Sequence, residues 1–435
     1  MMKLRPFELA LVCIFSALIL VALYLMANPN MSNNKLPPQF GTSVVIWGTE
    51  PQAAFQAVFD GIQDVNEDFE VVSYVQKDAR TFDNEVINAL AENRGPDILF
   101  LPHEKLLQYR SKIQPLSEQT LPVPDFKRNF IDGSEIFILP DGIYAFPAAV
   151  DPLVLYFNRD ILSTKNFINP PATWESVVNE LVPSLVERDF GRNIIRSPLA
   201  FGEYRNVTNA FDIISMLFLQ GGSGLVVQVG NNYRIQLNQS LSGTGVPLEN
   251  AVTFYTNFAS PSNPLYSWNR AQGNDREEFL GEELALYFGK GSEARDIAVD
   301  NPNLNFDIAE VPQGAAATVR RTYGTVYGFT LLRSAQNPAG AVQAMYELTK
   351  PANSVLLANN LTMAPASRSG LSSGSNDEYG RVIYSAATVA RGWLNPEPQV
   401  ANDIFTQMVE DVLANRARPS DAAVDAVGRL RDVYK

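Results

Sequence analysis

The chain has 435 residues, and its 34 Lys and Arg residues against 47 Asp and Glu residues give a formal net charge of −13 at pH 7. A composition with 46% hydrophobic and 19% charged residues excludes a disordered polymer and indicates folded domains with sizeable cores. The length suffices for two domains. The acidic excess argues against nucleic acid as a main partner, because affinity for a phosphate backbone comes chiefly from clustered Lys and Arg.

The sequence contains one Cys and one His, which excludes several classes of chemistry. Cys13 lies in the first apolar stretch, so the remainder of the chain forms no intrachain disulfide and no thiolate metal site. A site with several histidines is impossible, and His103 alone would have to serve any Ser-His arrangement. We therefore predict no metal and no cofactor, and any catalysis would depend on carboxylates.

The N-terminus has the pattern of a membrane signal. Lys3 and Arg5 precede an almost uninterrupted apolar stretch from Leu9 to Met26, and a polar run follows. This length is at the short end of a spanning helix, and the basic residues in front of it favour a cytoplasmic N-terminus. The bulky Leu25 disfavours cleavage by a signal peptidase. We expect residues 1–41 to be a cytoplasmic stub, an uncleaved single-pass transmembrane anchor and a linker, with the rest of the chain on the extracytoplasmic side.

From Ser43 the sequence alternates short β-branched or aromatic runs with helical stretches. This rhythm covers Val44–Trp47, Ala53–Val65, Phe69–Tyr74, Phe82–Asn93 and Asp97–Leu101. Strands separated by helices indicate a mostly parallel sheet that is covered on both faces. Longer helices then predominate, at Trp174–Glu187, Asn209–Leu219, Pro247–Phe258, Ala339–Leu348, Val400–Ala414 and Pro419–Val433.

Two Gly- and Pro-rich segments, 140–152 and 314–328, have apolar strand character on either side. Such segments are expected where a chain passes between two lobes through hinge strands. We predict an α/β protein with two lobes and a ligand cleft. Lobe 1 is expected to comprise residues 42–150 plus about 312–370, and the helix-rich lobe 2 residues 151–311 plus about 371–435.

Several segments resemble one known family through their order and spacing. They are Val44–Trp47, Gly95–Phe100, Tyr144–Asp160, Pro171–Glu175, Gln220–Gly222, Phe279–Phe288, Pro365–Arg368 and the last helix from Pro419. The family is the extracellular solute-binding proteins of ATP-driven (ABC-type) importers, in particular the sugar-binding group that includes maltose-binding protein. The resemblance covers Ser43 to the C-terminus and implies a periplasmic-binding-protein-like fold whose lobes close on a ligand. Leu101 departs from the pattern, because an aromatic stacking residue is expected there.

A sugar presents hydroxyls at its edge and apolar C–H groups on its faces, so carboxylates, amides and aromatic rings are expected around it. Trp47 and Glu50 lie at the end of one predicted strand, and His103 and Glu104 follow another, at the carboxyl ends where open α/β sheets hold ligands. Asp151 lies in the proposed hinge. Each also has a structural interpretation: a core Trp, a solvated helix start for the His-Glu pair, and a turn residue before a proline.

Three aromatic residues complete the predicted ligand-binding set. Tyr204, Trp268 and Trp393 lie in polar or Pro-bounded loops, where an aromatic side chain is harder to explain as core. The run Gly289–Ser292 lacks the spacing of a phosphate-binding loop and is interpreted as a turn.

The leading hypothesis is a membrane-anchored, monomeric receptor that captures a carbohydrate, either a mono- or an oligosaccharide, and delivers it to an ABC-type permease without covalent chemistry. The alternative is a membrane-anchored carbohydrate-active enzyme with paired carboxylates. A sensor-linked binding protein shares the fold. Peptide, polyamine or anion ligands also stay open, because the same architecture hosts them.

Overall fold

The computed structural model describes residues 40–191, 193–230, 232–241 and 245–434. The predicted anchor, Leu9 to Met26, therefore lies outside the described residues, as does the predicted linker up to residue 39. Among the helices that are described, none has the length and apolar character needed to cross a membrane.

The strands are short except for two long ones. They are β1 (Val44–Gly48), β2 (Val72–Gln76), β3 (Ile98–Pro102), β4 (Ile138–Leu139), β5 (Gly142–Ile143), β6 (Phe146–Asn158), β7 (Glu187–Arg188), β8 (Ile194–Leu199), β9 (Val226–Val229), β10 (Asn232–Ile235), β11 (Leu284–Lys290), β12 (Phe306–Ala309), β13 (Thr322–Leu331), β14 (Ala364–Pro365) and β15 (Ala390–Arg391).

The α-helices follow the strands in alternation and then predominate toward the C-terminus. They are α1 (Gln52–Gln63), α2 (Phe82–Ala91), α3 (Leu106–Tyr109), α4 (Val123–Asn129), α5 (Arg159–Ser163), α6 (Trp174–Ser176), α7 (Val182–Leu185), α8 (Ala210–Gln220), α9 (Pro247–Thr256), α10 (Asp275–Leu280), α11 (Ala294–Asp300), α12 (Pro338–Leu348), α13 (Pro351–Asn360), α14 (Arg368–Ser372), α15 (Gly380–Val389), α16 (Pro398–Leu413) and α17 (Pro419–Val433).

One large sheet runs through both lobes, in the order β2-β1-β3-β13-β6-β11-β8-β7. On the first-lobe side β1 pairs in parallel with β2 and β3, and on the second-lobe side β11 pairs in parallel with β8. The two long strands join the sides, because β13 pairs with β3 and β6 pairs with β11, and β6 and β13 pair with each other. This architecture agrees with the predicted α/β class.

β6 contains two prolines at positions where a central strand normally tolerates none, and β13 has glycines opposite both. Pro147 lies opposite Gly328 and Pro152 opposite Gly324, and the register shifts at the former pair. A Cβ on Gly324 would lie 2.7 Å from the Cβ of Ala390, so only glycine allows the neighbouring backbone to approach. Every residue of β6 is buried, as expected for a strand covered on both faces.

The crossing between lobes lies within β6. Pro152 still pairs with β13, whereas Leu153 pairs with Lys290 of β11. The predicted lobe boundaries at 150/151 and near 311/312 stay predictions. The C-terminal helices α16 and α17 pack on α9 of the second lobe.

Two predicted elements differ in the structure. The strand predicted from Phe69 begins at Val72, because Asn66 accepts a hydrogen bond from the Asp68 backbone N–H and starts a 3-10 turn that buries Phe69. The helix predicted over 174–187 ends at Leu185, since Val186 is extended and β7 follows; a π-helical turn, Val177–Leu181, lies between α6 and α7.

The buried Asp97 connects three parts of the first lobe, and its loss should destabilise the fold. Its carboxylate accepts the backbone N–H groups of Val45 at 2.9 Å, Gln336 at 2.8 Å and Asn337 at 3.1 Å. Asp97→Ala leaves these donors without an acceptor, and we expect the free energy of unfolding of the full-length chain in detergent, measured by urea denaturation, to fall by about 3 kcal/mol. The exposed Glu118→Ala is the control, and equal midpoints for both variants would contradict this role.

Candidate functional site

The carboxyl ends of strands from both lobes meet at the junction between the lobes. Glu50 follows β1, Glu104 follows β3, and Lys290 is the last residue of β11. Asp151 and Thr325, a cross-strand pair of β6 and β13, lie at the crossing itself. These five residues and Asp212 of α8 are called the cleft cluster below.

Lys290 is the cation of the cleft cluster. Its Nζ lies 3.2 Å from Thr325 Oγ1 and 3.5 Å from Asp212 Oδ2, and its side chain is 29% exposed. Burial lowers the pKa of Lys290, but the carboxylates of Asp212, Glu104 and Asp151 outweigh it and raise that pKa above its ordinary value. The ammonium is therefore fully protonated and couples the two lobes.

Only one of the two carboxylate oxygens of Glu104 accepts hydrogen bonds from side chains. Its Oε1 accepts hydrogen bonds from the hydroxyls of Tyr323 and Thr325, both at 2.8 Å. Its Oε2 is buried and has no hydrogen-bond donor among the described residues; His103 Nδ1 lies 3.3 Å from it but already accepts the Val326 N–H, and the Glu104 side chain is 14% exposed. The pKa of Glu104 lies below its ordinary value: burial raises it, and the Lys290 charge and the Thr325 hydroxyl are among the groups that lower it.

His103 supports the cleft cluster from inside the protein. Its side chain is 0% exposed, and its Nδ1 accepts the backbone N–H of Val326 at 3.1 Å. A Cβ on Gly392 would lie 2.1 Å from Nε2, so the imidazole fills the space that this glycine leaves. Burial lowers the pKa of His103 and favours the neutral ring. Instead of a solvated helix start, His103 is a core residue in a 3-10 turn.

Two carboxylates of the cleft cluster have strongly raised pKa values. Asp151 accepts the backbone N–H of Ser292 at 3.0 Å and its hydroxyl at 2.6 Å, and it lies within β6 rather than in a turn. Burial raises the pKa of Asp151 to about 7 and that of Asp212 to about 6, although Lys290 lowers both. Both are therefore partly protonated near neutral pH.

Trp47 lies at the carboxyl end of β1, and Glu50 follows that strand. Burial raises the pKa of Glu50, and the Lys290 charge opposes this shift, which places Glu50 within electrostatic reach of the ammonium. Trp47 is half-buried, and the ammonium of Lys77 lies 3.9 Å from its ring centroid. One face of the predicted stacking residue is thus covered by a lysine of the same lobe.

The three predicted loop aromatics are all buried, which corrects the expectation that their polar loops keep them out of the core. Trp268 is 1% exposed because its loop folds back on the Phe258 carbonyl, and Trp393 is 2% exposed, with its indole N–H 3.1 Å from Ser215 Oγ. The Tyr204 hydroxyl bonds Asn402 at 2.8 Å and lies within electrostatic reach of Asp212. Their roles in ligand binding stay predictions, as does the rest of the predicted set.

The two second-lobe residues of the cleft cluster, Asp212 and Lys290, were not predicted from the sequence. The run Gly289–Ser292, interpreted as a turn, contains the end of β11 and a 3-10 turn that presents Lys290 and Ser292. A lysine between two glycines at the end of an apolar strand is a sequence pattern that could have indicated Lys290 as a site residue. Asp212, the only charged residue of the otherwise apolar helix α8, was another.

Among the residues that the structure describes, no group of three or more His, Cys, Asp and Glu side chains is placed to hold a metal ion. The cleft cluster instead offers hydrogen-bond acceptors on four carboxylates and donors on one ammonium.

The fold is similar to those of solved sugar-binding proteins. A cyclo/maltodextrin-binding protein in complex with maltotetraose superposes with a TM-score of 0.71 at 15% identity, over 92% of this chain and 98% of that one. The maltose-binding protein MalE from Listeria monocytogenes with maltose gives 0.68 at 17%, over 90% and 97%, and the GacH receptor of Streptomyces glaucescens gives 0.66 at 16%, over 90% and 98%.

No family model matches the sequence, and no curated protein matches it. At these identities the similarity establishes the architecture: the chain has the two-lobed fold of periplasmic binding proteins.

The raised pKa of Asp151 predicts a pH-dependent stability. Between its ordinary value near 3.8 and about 7 the native protein holds a proton that the unfolded chain has released, so the free energy of unfolding falls as pH rises through this range. Asp151→Asn is neutral throughout and should lose less stability than the wild type between about pH 4 and 7 in urea denaturation. The exposed Asp64→Asn is the control. Parallel profiles for wild type and Asp151→Asn would refute the assignment.

Proposed function

We propose that the protein is a membrane-anchored, extracytoplasmic solute-binding receptor that captures a carbohydrate between its lobes and delivers it to an ABC-type permease. The fold supports a binding protein. Of the three similar structures described above, one was solved with maltotetraose, one with maltose, and one both without ligand and with acarbose. The apolar stretch in residues 9–26 supports the anchor.

The unpaired hydrogen-bonding groups of the cleft cluster carry the proposal for a carbohydrate. Glu104 Oε2 is an acceptor without a donor, and the Lys290 ammonium has three donors, whose partners are Thr325 at 3.2 Å and Asp212 at 3.5 Å. A sugar hydroxyl both donates and accepts, so a single hydroxyl satisfies both groups. An amine ligand would repel the Lys290 ammonium and offer no acceptor to its third N–H, and a carboxylate ligand would leave Glu104 without a donor.

Binding acts through the arrangement of the lobes. Glu50 and Glu104 belong to the first lobe, whereas Asp212 and Lys290 belong to the second. A ligand that bonds residues of both lobes does so only when they are close together, so it shifts the population toward the closed arrangement. The closed shape is what a permease would recognise.

The proposal predicts saturable sugar binding that depends on Lys290 and Glu104. We expect the full-length chain in detergent to show a higher melting temperature and a fluorescence change with one class of sugar, since Trp47 is half-buried at the cleft. Lys290→Met and Glu104→Gln should each weaken binding about tenfold or more, because each removes a hydrogen bond to a charged group.

Two matched variants control for charge and composition. Lys165→Met and Glu118→Gln change exposed residues of the same types and should bind like the wild type. If all four variants bind the sugar equally well, the cleft cluster does not hold it. If no sugar raises the melting temperature while a peptide, polyamine or anion does, the carbohydrate assignment fails.

The raised pKa values of Asp151 and Asp212 are the one observation that favours the alternative, an enzyme with paired carboxylates. Both groups are engaged within the protein, however, by Ser292 and by Lys290. A receptor returns its sugar unchanged. Recovery of new reducing ends after incubation with the wild type, and their absence with Asp151→Asn, would instead support the enzyme.

A further inference from the structure

Three arginines that are distant in sequence meet around one carboxylate, that of Asp132. Arg368 Nη2 donates to Asp132 Oδ1, and Arg391 Nη2 lies 2.8 Å from Oδ2. Arg321 adds a third positive charge, because its guanidinium lies within electrostatic reach of both Asp132 and Arg391. These three arginines and Asp132 are called the arginine cluster below. In a chain with a formal net charge of −13, it is a local excess of cations.

Strand pairing brings two of the arginines together. β15 pairs in parallel with β13, with Arg391 opposite Tyr323, so Arg321 lies two residues along the chain from this pair. Gln313 holds the Arg321 backbone in place, since its amide oxygen accepts the N–H at 3.0 Å and its amide nitrogen donates to the carbonyl at 3.1 Å. The position of this arginine is therefore fixed from the backbone and does not depend on an ion pair of its side chain.

Most N–H groups of the arginine cluster lack a carboxylate partner. Each guanidinium offers five N–H groups, and among the residues that the structure describes Asp132 is the only carboxylate that pairs with these arginines. Arg321 forms no ion pair in that part of the chain, and its Nη1 donates to a backbone carbonyl at 2.9 Å. Glu135, another carboxylate within electrostatic reach of Arg391, pairs with Lys127 at 2.7 Å. Three positive charges therefore stand against one negative charge.

The excess positive charge lies partly shielded from water. The Arg391 side chain is 16% exposed, and its pKa lies below the ordinary value, chiefly because of burial and then because of the Arg321 charge. The carboxylates of Asp132 and Glu135 oppose this shift without offsetting it. An additional anion would relieve the repulsion between the guanidiniums. Asp132 and Arg391 also line a cavity of about 490 Å³, which leaves room for a ligand beside them.

We propose that the arginine cluster binds a phosphate group, supplied either as free phosphate or as the headgroup of an anionic phospholipid. Guanidiniums bind phosphate oxygens through paired N–H groups, and the oxygens of a tetrahedral phosphate point in different directions, which suits donors on three converging side chains. The lipid source follows from the anchor proposed at residues 9–26, which would keep the chain at a membrane surface. The cluster shares no residue with the cleft cluster, so the proposal does not depend on carbohydrate binding.

Isothermal titration calorimetry of the full-length chain in detergent, with inorganic phosphate at pH 7 and constant ionic strength, tests the proposal. Arg321→Gln removes a guanidinium without breaking an ion pair among the described residues, and it should weaken phosphate binding about tenfold or more, the size expected for a hydrogen bond between charged groups. Asp132→Asn removes the carboxylate that competes for the arginines and repels the phosphate, so binding should tighten. Arg295→Gln, which changes an exposed arginine of α11, is the matched control and should bind like the wild type.

Absence of saturable phosphate binding by the wild type would overturn the proposal, and so would equal affinities of the wild type, Arg321→Gln and Asp132→Asn. The same titration in nanodiscs distinguishes the two sources. If a headgroup occupies the site, free phosphate binds more weakly in phosphatidylglycerol discs than in phosphatidylcholine discs, and this difference disappears in Arg321→Gln. Equal binding by the wild type in both kinds of disc assigns the site to free phosphate.

Discussion

The ammonium of Lys290 lies among four carboxylates at a junction that is largely shielded from water, and this concentration of charge constrains everything around it. Each carboxylate would be costly to bury alone, and the single cation offsets that cost for all of them only while the lobes stay close. The raised pKa values of Asp151 and Asp212 show that the compensation is incomplete. A ligand can complete the cluster, since a hydroxyl supplies the donor that Glu104 Oε2 lacks and a further acceptor for Lys290.

The crossing strands place these charges. Asp151 and Thr325 are cross-strand partners on β6 and β13, so the two strands that connect the lobes also carry two residues of the site. The Pro152–Gly324 pair lies next to these two residues, and the register shifts further along, where Pro147 lies opposite Gly328. A hinge built from paired strands restricts the lobes to few relative arrangements.

The features that depend on neighbouring residues in the sequence could be predicted from the sequence. The β/α rhythm from Val44 to Leu101 predicted the parallel first lobe, and the rule that ligands meet the carboxyl ends of strands led to Glu50 and Glu104, which the structure brings within reach of Lys290. Contacts between residues that are distant in sequence could not be predicted: Ser292, which donates hydrogen bonds to Asp151, is 141 positions away from it. The burial of Trp268 depends on its loop bending back to Phe258, which composition alone cannot show.

A carbohydrate site between the lobes can be tested by hydrogen–deuterium exchange of the full-length chain, with and without a carbohydrate that raises its melting temperature. We expect slower exchange at 48–51, 102–105 and 289–293, the strand ends that carry the cleft cluster from both lobes, and no change at 187–191 in the exposed hairpin. Protection confined to one lobe, or located away from these three segments, would contradict a carbohydrate site between the lobes.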